Sequence, residues 1–510
     1  MQLKVAQTIS CRKGFLMAKF TPTTVAATSQ ETPAGDVCER LRQQLQQRLL
    51  RFRHLAVTPA ATFALEQDVK ALLDAAGRDL LQREFQRLEP ADQAQAVPKV
   101  RYHQATYRIN KRTKAQVATR FGDITLWSFL YLHADDGEPG LHPLHVRLGL
   151  VAGVTPALAE RVGHCAVEHS QSGVRAWLWR EHGLKWSNER LRCVLRAFRR
   201  QVAPWRHEAQ VERLLQWLAQ AERSRGQHRP VLAVGRDGVM VPIRAAGYQE
   251  ASAATVSVYD RRGRRLGTVY LGQMPQPQQT TMTEDLTALV LAVLQQWSGA
   301  TPRLAYVTDK GQAQDEYWRR LRRLQHPRQP RQRLPWEWVL DFFHVCGYVS
   351  KMCDALFGRC RRKGQTWFAR MRQWLRQRRQ GVADILRSAM QHYNRRPLSR
   401  AAEAAFWKAY RYLRRHSRWM AYARYRRQGL PLGSGVTEAA CKTVFTQRLK
   451  RSGMRWHKES GQVIVDLRVL HLSGIWEEVV HKDLQARPRV ERCQGASYRL
   501  HTPPTRERAA

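Results

Sequence analysis

Acidic residues are scarce in this sequence: 42 Asp and Glu stand against 86 Lys and Arg, leaving a formal charge of +44. An excess of that sign and size favours a polyanionic partner, nucleic acid first, although an Arg-rich composition also follows from base bias in a coding frame. Nine cysteines contain no C-x-x-C pair and no metal-ligand spacing, which argues against a zinc ribbon and against a disulfide-stapled secreted module. No segment approaches the roughly 20 consecutive apolar residues of a membrane span. The opening MQLKVAQTISCRKGFLMAKF has no apolar core before a small-residue cleavage site, so a cytoplasmic, nucleoid-associated protein is expected, with Met17 an alternative start.

What is present is length and pattern. At 510 residues the chain exceeds what one core usually supports. Residues 1–35 are expected to be unstructured, and 36–100 to be a Gln-rich helical leader whose apolar residues recur at three and four. Residues 101–150 read as a small β-containing segment, with TRFGDITLWSFLYL rich in β-branched and aromatic residues and ADDGEPG marking a turn. Residues 151–225 hold three helical segments with short breaks, a helix-turn-helix shape. In the third, Ser187 is placed to cap, Leu191, Val194, Leu195 and Phe198 form an inward stripe, and Asn188, Arg192, Arg196 and Arg199 form an outward face suited to a DNA groove or to water.

From 230 to 345 the pattern changes to apolar β-runs: VLAVGRDGVMVPI, TVSVYD and RLGTVYLGQM, then helix, strand, helix and strand. A meander followed by that alternation predicts an α/β fold, a mixed sheet covered by helices. Residues 346–430 predict an all-helical insertion, 431–480 a return to the core, and 481–510 a basic tail.

Asp237 and Asp309 sit at or near strand ends, in GRDG and YVTDKG, on the first and fourth strands of the run, which this order allows to lie side by side. Glu438 lies one turn into the helix opened by LPLGSG, whose Ala440, Cys441, Val444, Phe445 and Leu449 make a packing stripe. Carboxylates brought together repel unless a divalent cation lies between them, and oxygen ligands favour Mg²⁺ or Mn²⁺. Singly, each acid reads equally well as a turn, a cap or a Glu438–Lys442 pair.

GRDGVMVP, TVYLG, LAYVTDKG, VLDFFHV and LPLGSGVTEAACKTVFTQRLKRSGMRW resemble insertion-sequence transposases of the ISKra type, within the DDE superfamily. The resemblance spans roughly residues 122–480. It implies an RNase H-like core, Asp237, Asp309 and Glu438 as catalytic ligands of two Mg²⁺ or Mn²⁺ ions, a helical insertion between the second Asp and the Glu, and terminal-inverted-repeat DNA as substrate. Asp341 and His344 resemble the D-x-x-H element of Mutator-like relatives and are expected in a supporting role. Seven positions after the Glu, where some DDE enzymes carry Lys or Arg, this chain has Phe445. Phosphate contacts are therefore expected from Lys442, Arg448, Lys450 and Arg451. No zinc is expected, because YLHADDGEPGLHPL stands where some relatives carry a cysteine ribbon. A homo-oligomer is expected, since two DNA ends must meet. A nuclease that cuts without joining and a non-catalytic DNA-binding derivative are the alternatives.

Two further patterns remain open to more than one reading. Cys346, Cys353 and Cys360 recur every two helical turns beside Val345, Val349, Met352 and Leu356, which favours a core stripe over a thiolate ladder. Trp367, Trp374, Trp407 and Trp419, among many arginines, suit stacking on unpaired bases as well as they suit bundle packing.

Overall fold

A computed structural model describes residues 33–133, 139–358, 362–395 and 397–493. The expected start at Met17, the ADDGEPG turn up to Gly137, Glu138, Cys360 and the last seventeen residues lie outside them. The chain divides after Arg83 into two compact units. The first holds α1 (Pro33–Arg53) and most of α2 (Pro59–Arg87). Arg40–Asp79 and Arg48–Asp68 ion pairs, each 3.3 Å and solvent-exposed, link the two helices antiparallel. Helix α1 begins inside the segment expected to be unstructured, because Pro33 suits the first turn of a helix.

The second unit opens with β1 (Lys99–Tyr102), β2 (Ala105–Thr119) and β3 (Gly122–His133), then short α3 (Pro143–Arg147). Next come α4 (Pro156–Glu168), α5 (Gln171–His182), α6 (Asn188–Val202) and α7 (Arg206–Arg223). The central sheet contains β4 (Val231–Ile243), β5 (Gly247–Tyr259), β6 (Arg265–Gln273), β7 (Arg303–Thr308) and β10 (Trp336–Leu340). Helices α8 (Thr280–Gln296) and α9 (Gln312–Leu321) join these strands. A small ribbon of β8 (Gln325–His326) and β9 (Gln329–Arg333) precedes β10 and has no apolar signal that would reveal it in the sequence.

The order β10-β7-β4-β5-β6 makes the sheet mixed. β4, β5 and β6 pair antiparallel, with Gly263 at φ 76° in the β5–β6 turn. β7 adds parallel to β4, and β10 parallel to β7. The α/β expectation therefore holds, including the neighbouring first and fourth strands.

Period-2 alternation sorts the sheet into two faces. Ala254, Val256 and Val258 of β5, with Val269 and Leu271 of β6, pack in one core with α7 and α8. That core continues into the helical segment: α10 (Phe342–Phe357), α11 (Arg362–Gln377), α12 (Gly381–Tyr393), α13 (Arg400–His416) and α14 (Tyr422–Arg427). Cys346 and Cys353 are buried there as expected of a core stripe. Ala251 and Ala253 face a second core, shared by α4–α6 with the C-terminal helices. These are α15 (Gly435–Ala440), a π-helical stretch Cys441–Thr446, α16 (Gln447–Leu449), α17 (Lys458–Leu472) and α18 (Trp476–Ala486).

The helix-turn-helix-like segment thus shares its core with the C-terminal helices. The side chain of Ser187 caps α6 by accepting the Arg190 N–H, and Leu191, Val194, Leu195 and Phe198 are buried. The last carbonyls of α4 are capped by distant arginines: Arg448 donates to Ala166, Arg468 to Val167 and Arg451 to Glu168. Cations at a helix C-terminus complement its dipole, so these contacts tie α4 to the C-terminal helices.

The expected tail boundary at residue 481 is too early. Helix α18 runs to Ala486, Arg487 pairs with Asp483 at 2.6 Å, and β11 (Glu491–Arg492) joins β1 antiparallel. ARPRVER reads as a tail in the sequence because the strand it completes lies at the other end of the unit. No helix among the described residues is long and apolar enough to cross a membrane.

Candidate active site

Three acids stand at matching positions at or just past the ends of the parallel strands. Pairing of β7 with β10 matches Thr308 with Leu340, so Asp309 and Asp341 are the next pair in register. Pairing of β4 with β7 ends at Val234 and Tyr306, and Asp237 and Asp309 each lie three residues further on. Neighbouring strands run about 4.8 Å apart, and residues in one row share a face. Arg236 alternates to the opposite face, where it donates to Thr283 Oγ1 and Gln279 Oε1 and is unavailable to neutralise Asp237.

Helix α15 delivers Glu438 to the same face through a close approach that glycine permits. A Cβ on Gly235 would stand 1.9 Å from Thr437 Oγ1, so only glycine lets Thr437 settle on β4. The Thr437 hydroxyl then hydrogen-bonds Thr255 of β5 at 2.8 Å, in the buried layer. Four residues on, the thiol of Cys441 approaches Asp237 Oδ2 at 3.5 Å from the first turn of the π-helical stretch. Single π-turns in α-helices recur at functional sites because the extra residue re-aims the side chains around it.

Asp341 binds the pieces together. Its Oδ1 accepts the His344 N–H and caps α10, while Oδ2 accepts the backbone N–H and, at 3.0 Å, the hydroxyl of Ser434. Ser434 Oγ also lies 2.7 Å from Glu438 Oε1. One hydroxyl proton can serve only one of the two carboxylates at a time. Asp341 thus links the end of β10, the start of α10 and the start of α15. The Ser434 bridge and the Thr437 seat carry no sequence signal beyond the small residues of LPLGSGVT.

The charges are arranged against the chain's overall balance. None of Asp237, Asp309, Asp341 and Glu438 forms an ion pair with a Lys or Arg among the described residues, in a chain with twice as many basic as acidic residues. The Asp309 carboxylate accepts no hydrogen bond from them either. Burial, and then the negative charge of Asp237, raise the proton affinity of Asp309; Glu438 and Asp341 add to it, and His344 opposes it. Burial likewise raises that of Asp237, against the hydrogen bonds from Gly238 and Cys441, with Glu438 and Glu250 adding to the rise. Burial and Asp237 hold the Cys441 thiol protonated far above its usual range. Tyr412 of α13 borders the cluster: its buried hydroxyl has no partner among the described residues, and its ring stacks on Tyr348 at 3.7 Å. Neither tyrosine stands out from the helical pattern of the sequence.

Among the described residues no three His, Cys, Asp or Glu side chains are drawn to chelating distance. The donor set nevertheless suits a hard divalent cation: carboxylate oxygens near enough to raise one another's proton affinity, with no ion-paired Lys or Arg among the described residues to offset them. Asp237, Asp309 and Glu438 are the residues that could hold it: the Asp309 oxygens accept no hydrogen bond from described residues, and each oxygen of Asp237 and the engaged oxygen of Glu438 accepts only one.

The expected DNA contacts divide. Lys442, Lys450 and Arg451 are exposed. Arg448 is not: it is 1% exposed, donates to Ala166 O and lies 5.3 Å from the Trp456 ring, so the expectation of a phosphate contact there is corrected. Its aliphatic stem continues the packing stripe, and the α4 carbonyl takes its charge. On α6, Asn188, Arg192 and Arg196 are exposed, but Glu189 pairs with both arginines and Asn188 accepts from Arg175. Arg199 pairs with buried Asp466 of α17 at 2.6 Å, which corrects its expected place on a DNA-facing surface. Asp466 also binds Arg206, a long-range arrangement that helical spacing alone does not reveal.

No protein-family model matches the chain, and no curated protein matches it.

Proposed function

We propose that the chain is a metal-dependent DNA transposase of the DDE type, built on an RNase H-like core. The observation that carries this reading is the row Asp237–Asp309–Asp341 with Glu438 beside it, unpaired with any described basic residue in a strongly basic chain. The resemblance of the same segments to ISKra-type transposases adds to it. Two bound Mg²⁺ or Mn²⁺ ions supply, when present, activation of a water or 3′-hydroxyl and stabilisation of the leaving oxygen in an in-line phosphoryl transfer.

The chain's own groups have distinct tasks. Asp237, Asp309 and Glu438 hold the cations. Asp341 and Ser434 fix the end of β10 against the start of α15, and so orient Glu438. Lys442, Lys450 and Arg451, exposed after the acidic helix, attract and register phosphates without reading bases. No Ser or Tyr nucleophile is required, because water and then the exposed 3′-hydroxyl perform the two displacements. Two ends must be held together, so the working species is a homo-oligomer.

The test uses DNA duplexes carrying the inverted repeats that flank the coding frame, incubated with protein and Mg²⁺. The wild-type chain is expected to release 3′-hydroxyl ends and join them to a second duplex. Asp309→Asn is expected to lose both by about a thousandfold or more, the scale on which essential groups of a catalytic unit act. Cleavage with no joined product on paired ends selects the nuclease reading. Full activity in Asp309→Asn refutes the proposal.

A further inference from the structure

Behind the acidic row, on the opposite face of the same strand ends, lies a cavity of about 300 Å³. Lys310 follows Asp309 and alternates to that face. Its ammonium sits 4.4 Å from the Trp338 ring and 4.8 Å from the Trp419 ring. Arg319 of α9 and Arg322 just after it enter the wall on one side, and Arg415 of α13 and Arg418 in the turn that follows it on the other. The one acid present, Asp315, is already engaged by Lys310. None of the four arginines forms an ion pair with a described residue.

Cations gathered without counter-charge repel, and an anion between them removes that cost. The neighbouring groups register the imbalance. His416 has a buried Nδ1 with no hydrogen-bond partner among the described residues. Burial, then Lys310, Arg415 and Arg418, hold its imidazole at about 4, so it is neutral near pH 7 and offers one acceptor and one donor. The wall also has a planar surface: the Trp419 ring, with the Arg418 guanidinium 3.8 Å from its centroid and Trp338 tilted against it at 4.7 Å. Of the four tryptophans weighed for base stacking, only Trp419 lines this cavity. Trp367 is buried and donates to Ser388, Trp407 donates to Tyr393, and neither these two nor Trp374 lines the cavity.

Guanidinium forks match phosphate oxygens, and aromatic and guanidinium planes stack on nucleobases irrespective of sequence. We infer that this cavity receives one nucleotide unit of a single DNA strand, its phosphate held by Arg319, Arg322, Arg415 and Arg418 and its base lying against Trp419. The choice of DNA rests on the proposed function; the pocket's chemistry does not. Helix α13 joins the two features, since Tyr412 borders the acids and Arg415 and His416 line the cavity. A strand crossing the carboxylates would therefore have a flanking nucleotide seated beside Lys310, the residue after Asp309 just past the end of β7.

The test is binding, in EDTA, of a fluorescently labelled 5′-phosphorylated hexathymidylate by full-length protein. Arg415→Glu with Arg418→Glu is expected to weaken binding by about tenfold or more. Arg400→Glu with Arg411→Glu, the same charge change elsewhere on α13, is the control and is expected to have a smaller effect. Trp419→Ala is expected to lose about tenfold. A hexamer carrying iododeoxyuridine is expected to photocrosslink wild-type protein at Trp419, a readout that needs no variant to fold. Asp309→Asn, which removes a negative charge beside the strand, is expected to bind no more weakly than wild type, so failure of catalysis and failure of this pocket are read separately. Equal weakening in the control pair, or crosslinks only outside the cavity, overturns the inference. Thymidine monophosphate competing as well as the hexamer overturns the assignment to a strand.

Discussion

Replacing Gly235 by alanine probes how Glu438 reaches the sheet. The new methyl would lie 1.9 Å from Thr437 Oγ1 and 2.9 Å from Thr255 Oγ1. Ordinary carbon contacts begin near 3.5 Å, so α15 must retreat by about 1.5 Å or Thr437 must leave its rotamer. Overpacking of this kind costs about 1–3 kcal/mol. Losing the buried Thr255–Thr437 hydrogen bond adds about 1 kcal/mol. A loss of about 2–4 kcal/mol is expected in denaturant unfolding followed by tryptophan fluorescence. Thr437→Ala removes the atom at 1.9 Å, so the double variant is expected to be less damaged than the sum of the singles, with about 1–2 kcal/mol of coupling. Strand cleavage should fall by about a hundredfold in Gly235→Ala, the scale of an ångström's misplacement of a catalytic group. Undiminished stability in Gly235→Ala, or strict additivity with Thr437→Ala, refutes the seating of α15 described above.

Other consequences are equally concrete. Asp309 and Asp237 bind protons more tightly in the folded chain than in the unfolded one, so their contribution to stability is present at low pH and lost as pH rises through their raised values. Without divalent ions at pH 7, Asp309→Asn is therefore expected to melt above wild type, and the gap to close as pH falls toward 4, measured by calorimetry. Arg448→Ala removes a buried stem and the cap on Ala166, and is expected to destabilise by about 2–4 kcal/mol. Lys442→Ala is expected to leave stability unchanged but to lower the salt dependence of DNA binding by about one counterion. Cys441 is buried with its thiol held protonated, so iodoacetamide at pH 8 is expected to spare it in the native protein and label exposed Cys193; the reverse order in mass spectrometry contradicts the placement of Cys441 beside Asp237.

The readable parts of this fold were those with a local period. Apolar runs marked β4, β6 and β7, and three-to-four spacing marked α6 and the helix opened by LPLGSG, because each buries apolar residues in one of the two cores. The order of the runs allowed β4 to lie beside β7, and the parallel pairing places it there. What stayed hidden depends on pairs distant in the chain. Arg448 looks like a surface cation until the carbonyl of Ala166 is placed over it, and Arg199 until Asp466 is. The β11 strand has two residues and no apolar pattern of its own. At the site, Asp237, Asp309 and Glu438 were visible as acids at strand and helix ends. The clamp by Asp341 and Ser434, the glycine that admits Thr437 and the cation-lined cavity behind Asp309 exist only once strands and helices are brought into register.

The central claim is that Asp237, Asp309 and Glu438 act as one site for divalent ions. Titration of the metal-free protein with Mn²⁺, with free ion counted by electron paramagnetic resonance, tests it most directly. Two bound ions are expected for the wild type, and Asp237→Asn, Asp309→Asn and Glu438→Gln are each expected to weaken binding by about tenfold or more, or about 1.4 kcal/mol. Wild-type binding in any one of the three variants contradicts it.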